Sequence, residues 1–421
     1  MSIYLALGSN EGDRLENLEF GIAELVKSGF RLLNVSPVVE TPAMLPENAD
    51  PAWNKPFLNV CIQGDADWSP ETGLKTAKII EEKAGRQQSA RWSPRPLDID
   101  LIYWNGESRD SADLTIPHAG ALSRDFVLTP LLYLNADLKL GKSSVFDCSQ
   151  NLLPIPAWMA IVNVTPDSFS DGNSWFDENL LDLHIDKLVA SNVQVIDVGA
   201  ESTRPRADSV SHDEEWSRLE PVLKLVQEKF KSRYIKPKVS IDSRNPETIE
   251  AALKIGVDIL NDVTGLEDER MRKLVKESGL PVVAMHSLTV PVDPTVLLPN
   301  DKSALVQMDA WIEQHLDKWE DEGIDRKQVI IDPGIGFGKS SIQTYEILKN
   351  YKNMRRHGCR ILIGHSRKSF MNGFCKEPVS ERDIETIGMS MALCQQGVDI
   401  IRVHDPLNHM RAYRAWMHVA R

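Results

Sequence analysis

The chain is poor in several things, and each shortage narrows what it can be. Only five of its 421 residues are cysteines (Cys61, Cys148, Cys359, Cys375 and Cys394), an odd number with no Cys-x-x-Cys pair. That argues against a disulfide framework or a structural zinc and suits a reducing cytoplasm. Positive charge is also short, since 48 Lys and Arg face 61 Asp and Glu, a net charge of −13. A nucleic-acid partner would need clustered basic residues, so none is expected; small anionic substrates held by a few placed cations stay open. No apolar run approaches the roughly 18 residues of a membrane span, and the N-terminus has neither a basic region nor a long apolar core. No membrane association is expected. Low-complexity segments and short repeats are missing too.

What remains is ordinary globular composition, 42% hydrophobic and 26% charged. The length suits about two or three domains, each with its own core. Leu153-Pro154-Ile155-Pro156 reads as a stiff connector, which predicts a first domain over residues 1–148, a linker over 149–157 and a second domain over 158–421.

In the first domain, strands are expected at Ile3–Leu7, Phe30–Val39, Phe57–Gln63 and Leu97–Trp104, the last turned by Asn105-Gly106. Helices are expected at Leu15–Val26 and Glu71–Ala84, the second capped at Gly85. The β-α-β-β-α-β order suggests a ferredoxin-like α+β sandwich. Its chemistry lies in Arg91-Trp92-Ser93-Pro94-Arg95-Pro96-Leu97-Asp98-Ile99-Asp100. Strand side chains alternate, so Asp98 and Asp100 share a face, with Cα atoms roughly 7 Å apart. Such a pair can hold one or two Mg²⁺ ions for phosphoryl-type transfer, with Arg91 and Arg95 taking phosphates. A solvated strand face with Asp–Arg ion pairs accounts for the alternation just as simply, and alternation alone does not separate the two.

The stretch from Met159 to Gly172 opens the second domain with an apolar run broken at Thr165-Pro166-Asp167. Further strands are expected at Val193–Val198, Lys238–Ile241, Asp258–Asn261, Pro281–Met285, Gln328–Ile331, Arg360–Ile363 and Asp399–Val403, with helical patterns between them. Eight β-then-α units point to a (β/α)8 TIM barrel; a doubly wound open sheet is the alternative. Asn163, Asp242, Asn261, Asp262, His286, Asp332, Lys368, Arg402 and His404 fall at or just past strand C-terminal ends, where a barrel carries its active site. Any one of them alone is more simply a cap or loop anchor. Gly334-Ile335-Gly336-Phe337-Gly338-Lys339-Ser340 imitates a P-loop, but Pro333 stands where that motif needs glycine. A tight turn bringing backbone close to a ligand is the better reading.

Longer strings carry a family resemblance. Gly8-Ser9-Asn10, Thr41-Pro42, Phe57-Leu58-Asn59, RWSPRPLDIDLIYW, Ile116-Pro117-His118 and Arg124-Asp125-Phe126-Val127-Leu128 follow the order seen in 6-hydroxymethyl-dihydropterin pyrophosphokinases, which the first domain resembles. The resemblance implies diphosphate transfer from ATP to 6-hydroxymethyl-7,8-dihydropterin. By motif position, Asp98 and Asp100 would bind magnesium and Thr41, Pro42, Phe57, Asn59 and Phe126 would shape the pterin slot. Glu81, Arg86, Arg91, Arg95, His118 and Arg124 would face ATP, with Arg86 and Arg95 assisting catalysis. Ala119 and Gln88-Ser89 depart from the pattern of some relatives.

NVTPDSFSDG, Asp197-Val198-Gly199, Glu201-Ser202-Thr203-Arg204-Pro205, Ser240-Ile241-Asp242, Leu260-Asn261-Asp262, Asp332-Pro333-Gly334, Ser366-Arg367-Lys368-Ser369 and Arg402-Val403-His404-Asp405 resemble dihydropteroate synthases. The implied reaction is displacement of diphosphate from dihydropterin diphosphate by p-aminobenzoate. Thr203, Asp242, Asn261, Asp332, Lys368, Arg402 and His404 would hold the pterin diphosphate, with Lys368, Arg402 and His404 catalytic and a magnesium ion on Asn163. Phe169, Thr203, Arg204, Pro205, Phe337 and Ser369 would contact p-aminobenzoate. A cytoplasmic bifunctional enzyme is expected, with a homodimer through the barrel domain as a further expectation. Its rivals are a pterin-binding protein with one domain decayed and a barrel methyltransferase acting on a folate.

Overall fold

The computed structural model describes residues 2–87, 92–149, 155–164, 178–201 and 210–420. Two compact units result: Met1–Ile155 with Ser232–Lys236 and Tyr413–Arg421, and Pro156–Lys231 with Pro237–Ala412.

The first unit is built on β1 (Ile3–Ser9), β2 (Arg31–Val35), β3 (Val39–Thr41), β4 (Phe57–Asp65) and β5 (Asp98–Trp104), joined by helices α1 (Arg14–Lys27) and α2 (Pro70–Lys83). Its path is β2-β4-β1-β5, with β3 added to β4 and every pair antiparallel, which is the ferredoxin-like arrangement. The Asp13 carboxylate starts α1 by accepting the Glu16 N–H, and the Ser69 hydroxyl starts α2 by accepting that of Thr72, with Pro70 in its first turn. Leu18, Ile22, Leu25 and Ile80 from these helices pack on Leu5, Leu7, Ile62 and Ile99 of the sheet. On the opposite face α3 (Asp125–Asn135) packs Val127, Leu128 and Leu131 against Tyr4, Cys61 and Ile102.

Two local features differ from the expected pattern. The single strand expected over Phe30–Val39 is divided into β2 and β3, because Pro37 lacks an N–H and constrains the residue before it. Ser36 keeps contact with β4 there: its N–H donates to the Cys61 carbonyl at 2.9 Å and its hydroxyl accepts the Cys61 N–H at 2.9 Å. In β5, Tyr4 faces Tyr103 while Leu5 faces Leu101, so Ile102 is an extra residue. Before this bulge Ile99 and Leu101 are buried while Asp98 and Asp100 are turned away from that core; after it the phase flips and Trp104 returns to the same core. Asn105 and Gly106 both have positive φ, as the hairpin turn requires.

The second unit is a closed barrel of eight parallel strands: β6 (Ala157–Asn163), β7 (Val195–Gly199), β8 (Lys238–Asp242), β9 (Ile259–Asp262), β10 (Val282–Met285), β11 (Val329–Asp332), β12 (Arg360–Ile363) and β13 (Ile400–Val403). Pairing of β6 with β13 closes it, so the open sheet is ruled out. β6 starts at Ala157, taking in the last residue expected for the linker, and Ser149 belongs to a short helix Val145–Ser149. The register sets Asn163 beside Gly199, Gly199 beside Asp242 and Asp242 beside Asn261. Polar groups far apart in sequence are thereby brought level at the C-terminal rim. Among the described residues no helix is long and apolar enough to cross a membrane.

Candidate active sites

A cleft of about 600 Å³ opens on the first unit. Thr41, Pro42, Phe57, Asn59, Glu81, Arg86, Arg95, Asp98, Asp100, His118, Arg124 and Phe126 all line it. Arg91, Gln88 and Ser89 lie outside the described residues. Phe57 and Phe126 both line the cleft, and their rings carry the guanidinium carbons of Arg95 and Arg124 respectively, each 5.8 Å from the ring centroid. The Asn59 amide donates to the Thr41 hydroxyl at 3.0 Å, fixing one polar edge. Asn10 ties the Arg95 segment to β1, its side-chain oxygen accepting the Arg95 N–H at 2.8 Å.

The cleft is also charged. Arg86 bridges Glu81 at 2.7 Å and Asp98 at 2.6 Å, Arg95 approaches Asp98 at 3.3 Å, and Arg124 stands 4.0 Å from Asp100. The Asp–Arg pairs of the simpler reading are thus present, but they line a concave cleft rather than a solvated strand face. Burial, reinforced by the neighbouring Asp98 charge, raises the Asp100 carboxyl above its ordinary range, while His118 and Arg124 oppose the rise. A cation would relieve that repulsion, and two carboxylates on one strand face are the hard oxygen donors magnesium takes, so the residues fit the ion. Glu81, in the wall of the cleft, also has a structural bond. It is 1% exposed and accepts the Ile99 N–H at 2.8 Å, so it locks α2 to β5 and orients Arg86. Trp92, held at a φ of 79° within the segment that carries the chemistry, also lines the cleft, as does Lys78, which nothing in the sequence pattern marks.

At the barrel rim one arginine joins groups that lie far apart in the sequence. Arg402 donates through Nε to Asp197 at 2.6 Å and through Nη2 to Asp242 at 2.7 Å, and the Asn261 amide donates to Asp197 at 3.2 Å. Asp197 is fully buried at the centre of this network and was not singled out as a site residue. The available signal was a carboxylate inside the apolar run Val195-Ile196-Asp197-Val198, which must be paired to be buried. Burial pushes Asp242 up to about 7; the Asp197 charge adds to the rise and Arg402 offsets it. Burial likewise lowers Lys368 to about 8, opposed by Asp332 and Asp242. The Lys368 ammonium donates to the Ile335 carbonyl and stands 4.7 Å from the Phe337 ring centroid.

Asp332 is 5% exposed and accepts the Gly334 N–H at 2.8 Å. His404 Nδ1 lies 2.9 Å from the Ser366 hydroxyl. Ser369, itself exposed, begins a short 3-10 turn, Ser369–Gly373, whose Phe370 and Met371 are buried. Asp262 is a loop anchor, accepting the N–H groups of Thr264 and Leu266 at 2.8 and 2.9 Å. Phe169, Thr203, Arg204 and Pro205 lie outside the described residues. Asn163 offers a single neutral oxygen at its strand end, so an ion there would depend on ligand oxygens for most of its coordination. Chemically, the rim offers donors and acceptors for a flat heteroaromatic edge and cations for a departing anion.

Comparison with known proteins returns two matches within the chain. Residues 159–404 match the pterin binding enzyme family, and residues 4–136 match 7,8-dihydro-6-hydroxymethylpterin-pyrophosphokinase. A "Folate synthesis bifunctional protein" of Chlamydia trachomatis serovar D is 36% identical over 437 aligned positions, covering 98% of this chain and 97% of the relative. Among solved structures, Yersinia pestis dihydropteroate synthase with a sulfonamide drug complex aligns with a TM-score of 0.58 and 29% identity, covering 63% of this chain and 94% of that one. Anaplasma phagocytophilum dihydropteroate synthase with bound 6-hydroxymethylpterin-monophosphate aligns with a TM-score of 0.56 and 32% identity, covering 63% and 99%.

Proposed function

The chain belongs to the bifunctional folate synthesis proteins, and from that premise we propose how its residues divide two consecutive reactions. It is a 6-hydroxymethyl-7,8-dihydropterin pyrophosphokinase and a dihydropteroate synthase in one polypeptide. The first activity moves diphosphate from ATP to the pterin hydroxymethyl oxygen and releases AMP. In the second, the p-aminobenzoate nitrogen bonds to the pterin methylene carbon as the carbon–oxygen bond to diphosphate breaks. Its substrates are accordingly small molecules, and the junction between the domains is placed within residues 149–157.

In the first site the pterin lies between Phe57 and Phe126, with Thr41, Pro42 and Asn59 at its edge. Arg86, Arg91, Arg95, His118 and Arg124 receive the ATP phosphates, and Glu81 keeps Arg86 aimed at them. Magnesium held by Asp98 and Asp100 would supply charge neutralisation on the transferred group. Arginine supplies paired, fixed donors to phosphate oxygens, which suits charge spread over the group in flight.

In the second site Asp242, Asn261, Asp332 and Lys368 hold the pterin ring, while Thr203, Arg402, His404 and magnesium on Asn163 receive the diphosphate. Because Arg402 is also bonded to Asp242, it acts on both ends of the substrate rather than on the diphosphate alone. Phe169, Thr203, Arg204, Pro205, Phe337 and Ser369 take p-aminobenzoate. The observation that carries this reading is convergence: residues scattered from Thr41 to Phe126 line one cleft, and Asp197, Asp242, Asn261 and Arg402, from four strands, meet at one rim. Five free cysteines support a cytoplasmic location. The exposed side chains of Phe374, Val379 and Ile384 support self-association of the barrel, which sedimentation velocity tests.

One coupled assay tests the whole. Full-length protein given hydroxymethyl-dihydropterin, ATP, Mg²⁺ and p-aminobenzoate forms dihydropteroate and AMP in equal amounts. Dihydropteroate formed without ATP, or AMP formed without any dihydropteroate, overturns the division.

A further inference from the structure

The turn that imitates a P-loop carries a second lysine for which the chemistry above has no use. Lys339 is 6% exposed, and its ammonium meets three acceptors: His286 Nδ1 at 2.8 Å, the His286 carbonyl at 3.3 Å and the Phe337 carbonyl at 3.0 Å. An ammonium has three N–H donors, so this cage satisfies all of them. Gly334, Gly336 and Gly338 in the turn all have positive φ, and a Cβ on Gly334 would lie 1.9 Å from the His286 carbonyl oxygen. Glycine-rich backbone of this kind has no strong conformational preference of its own. Its carbonyls are instead pinned from outside, Ile335 by Lys368 and Phe337 by Lys339.

We propose that Lys339 is a positioning residue for the aromatic amine: by tying the Phe337 and His286 carbonyls together it holds the Phe337 ring where p-aminobenzoate docks. This rests on the assignment of Phe337 to the p-aminobenzoate site. His286 completes the cage. Burial keeps its imidazole neutral, with a pKa lowered to about 3, and Nδ1 accepts from the Lys339 ammonium in the tautomer that carries its proton on Nε2. Lys339 itself is lowered to about 7 by burial; Asp332 opposes the shift and Lys368 adds to it.

Steady-state kinetics of the full chain separate the possibilities. Lys339→Met keeps length and approximate volume and removes the donors. It raises KM for p-aminobenzoate about tenfold and leaves kcat and KM for dihydropterin diphosphate within about twofold. Phe337→Ala raises the same KM, and the double variant is no worse than Phe337→Ala alone, because Lys339 acts through that ring. An unchanged KM in Phe337→Ala overturns the assignment of Phe337 and this proposal with it. A raised KM in Phe337→Ala but not in Lys339→Met overturns the role of Lys339 alone, as do additive effects in the double variant. Should Lys339→Met not fold, His286→Phe removes one acceptor while retaining a ring edge-on to Trp311, whose centroid lies 5.2 Å from that of His286. It gives a smaller rise, about threefold, in the same constant, and no rise is likewise contrary to the proposal.

Discussion

Arg402→Met at the barrel rim would remove a cation that is bonded to both Asp197 and Asp242. At an effective dielectric near 20, opposite charges with centres about 4 Å apart attract by about 4 kcal/mol. The Asp242 side chain is 16% exposed, so roughly half of that, ~2 kcal/mol, is a reasonable share after solvent screening. That corresponds to about 1.5 pKa units. Burial holds Asp242 up at about 7, and losing Arg402 removes the influence that opposes that rise, so its midpoint moves further up. At pH 7 the ionised fraction then falls by about an order of magnitude. Only the carboxylate accepts hydrogen bonds at both oxygens from ring N–H groups, so affinity for a pterin lacking diphosphate drops about fifteenfold at pH 7. At pH 9 most of Asp242 is ionised in both proteins, and the two affinities converge. Titration calorimetry with such an analogue between pH 6 and 9 reads this directly, and ionisation of the ligand is common to both proteins. Equal affinities at every pH would refute the claim that Arg402 sets the charge of the ring-binding carboxylate; a constant deficit at all pH values would refute its electrostatic origin.

Asp98→Asn or Asp100→Asn abolishes AMP formation from ATP and hydroxymethyl-dihydropterin, while the barrel still converts pre-made dihydropterin diphosphate; retention of the first activity in both variants removes the metal assignment. Gly73→Ala places a Cβ 2.4 Å from the Trp104 ring, and this overpacking should cost about 1–3 kcal/mol, read as a lower denaturant midpoint of the first unit. An unchanged midpoint would mean that α2 shifts on the sheet without loss.

The local chemistry of this protein is written in its sequence. Alternation in Leu97–Trp104 separated the carboxylate face from the core face, and the eight strand-like runs of the second half already implied a barrel with polar residues at their ends. These are short-range properties, set by side-chain period, by turn residues such as Asn105-Gly106 and by caps such as Ser69. Long-range packing decided the rest. Helix α3 contains Pro130 and holds because Val127, Leu128 and Leu131 are buried against the sheet. The bulge at Ile102 depends on which residue of β1 lies opposite. Nothing local to Glu81 shows that folding buries it and makes it a strut beneath Arg86. Asp197 and Arg402 are 205 positions apart, and nothing local to either shows that they meet. A carboxylate's charge depends on how much water and which counter-charges surround it, and barrel closure sets both.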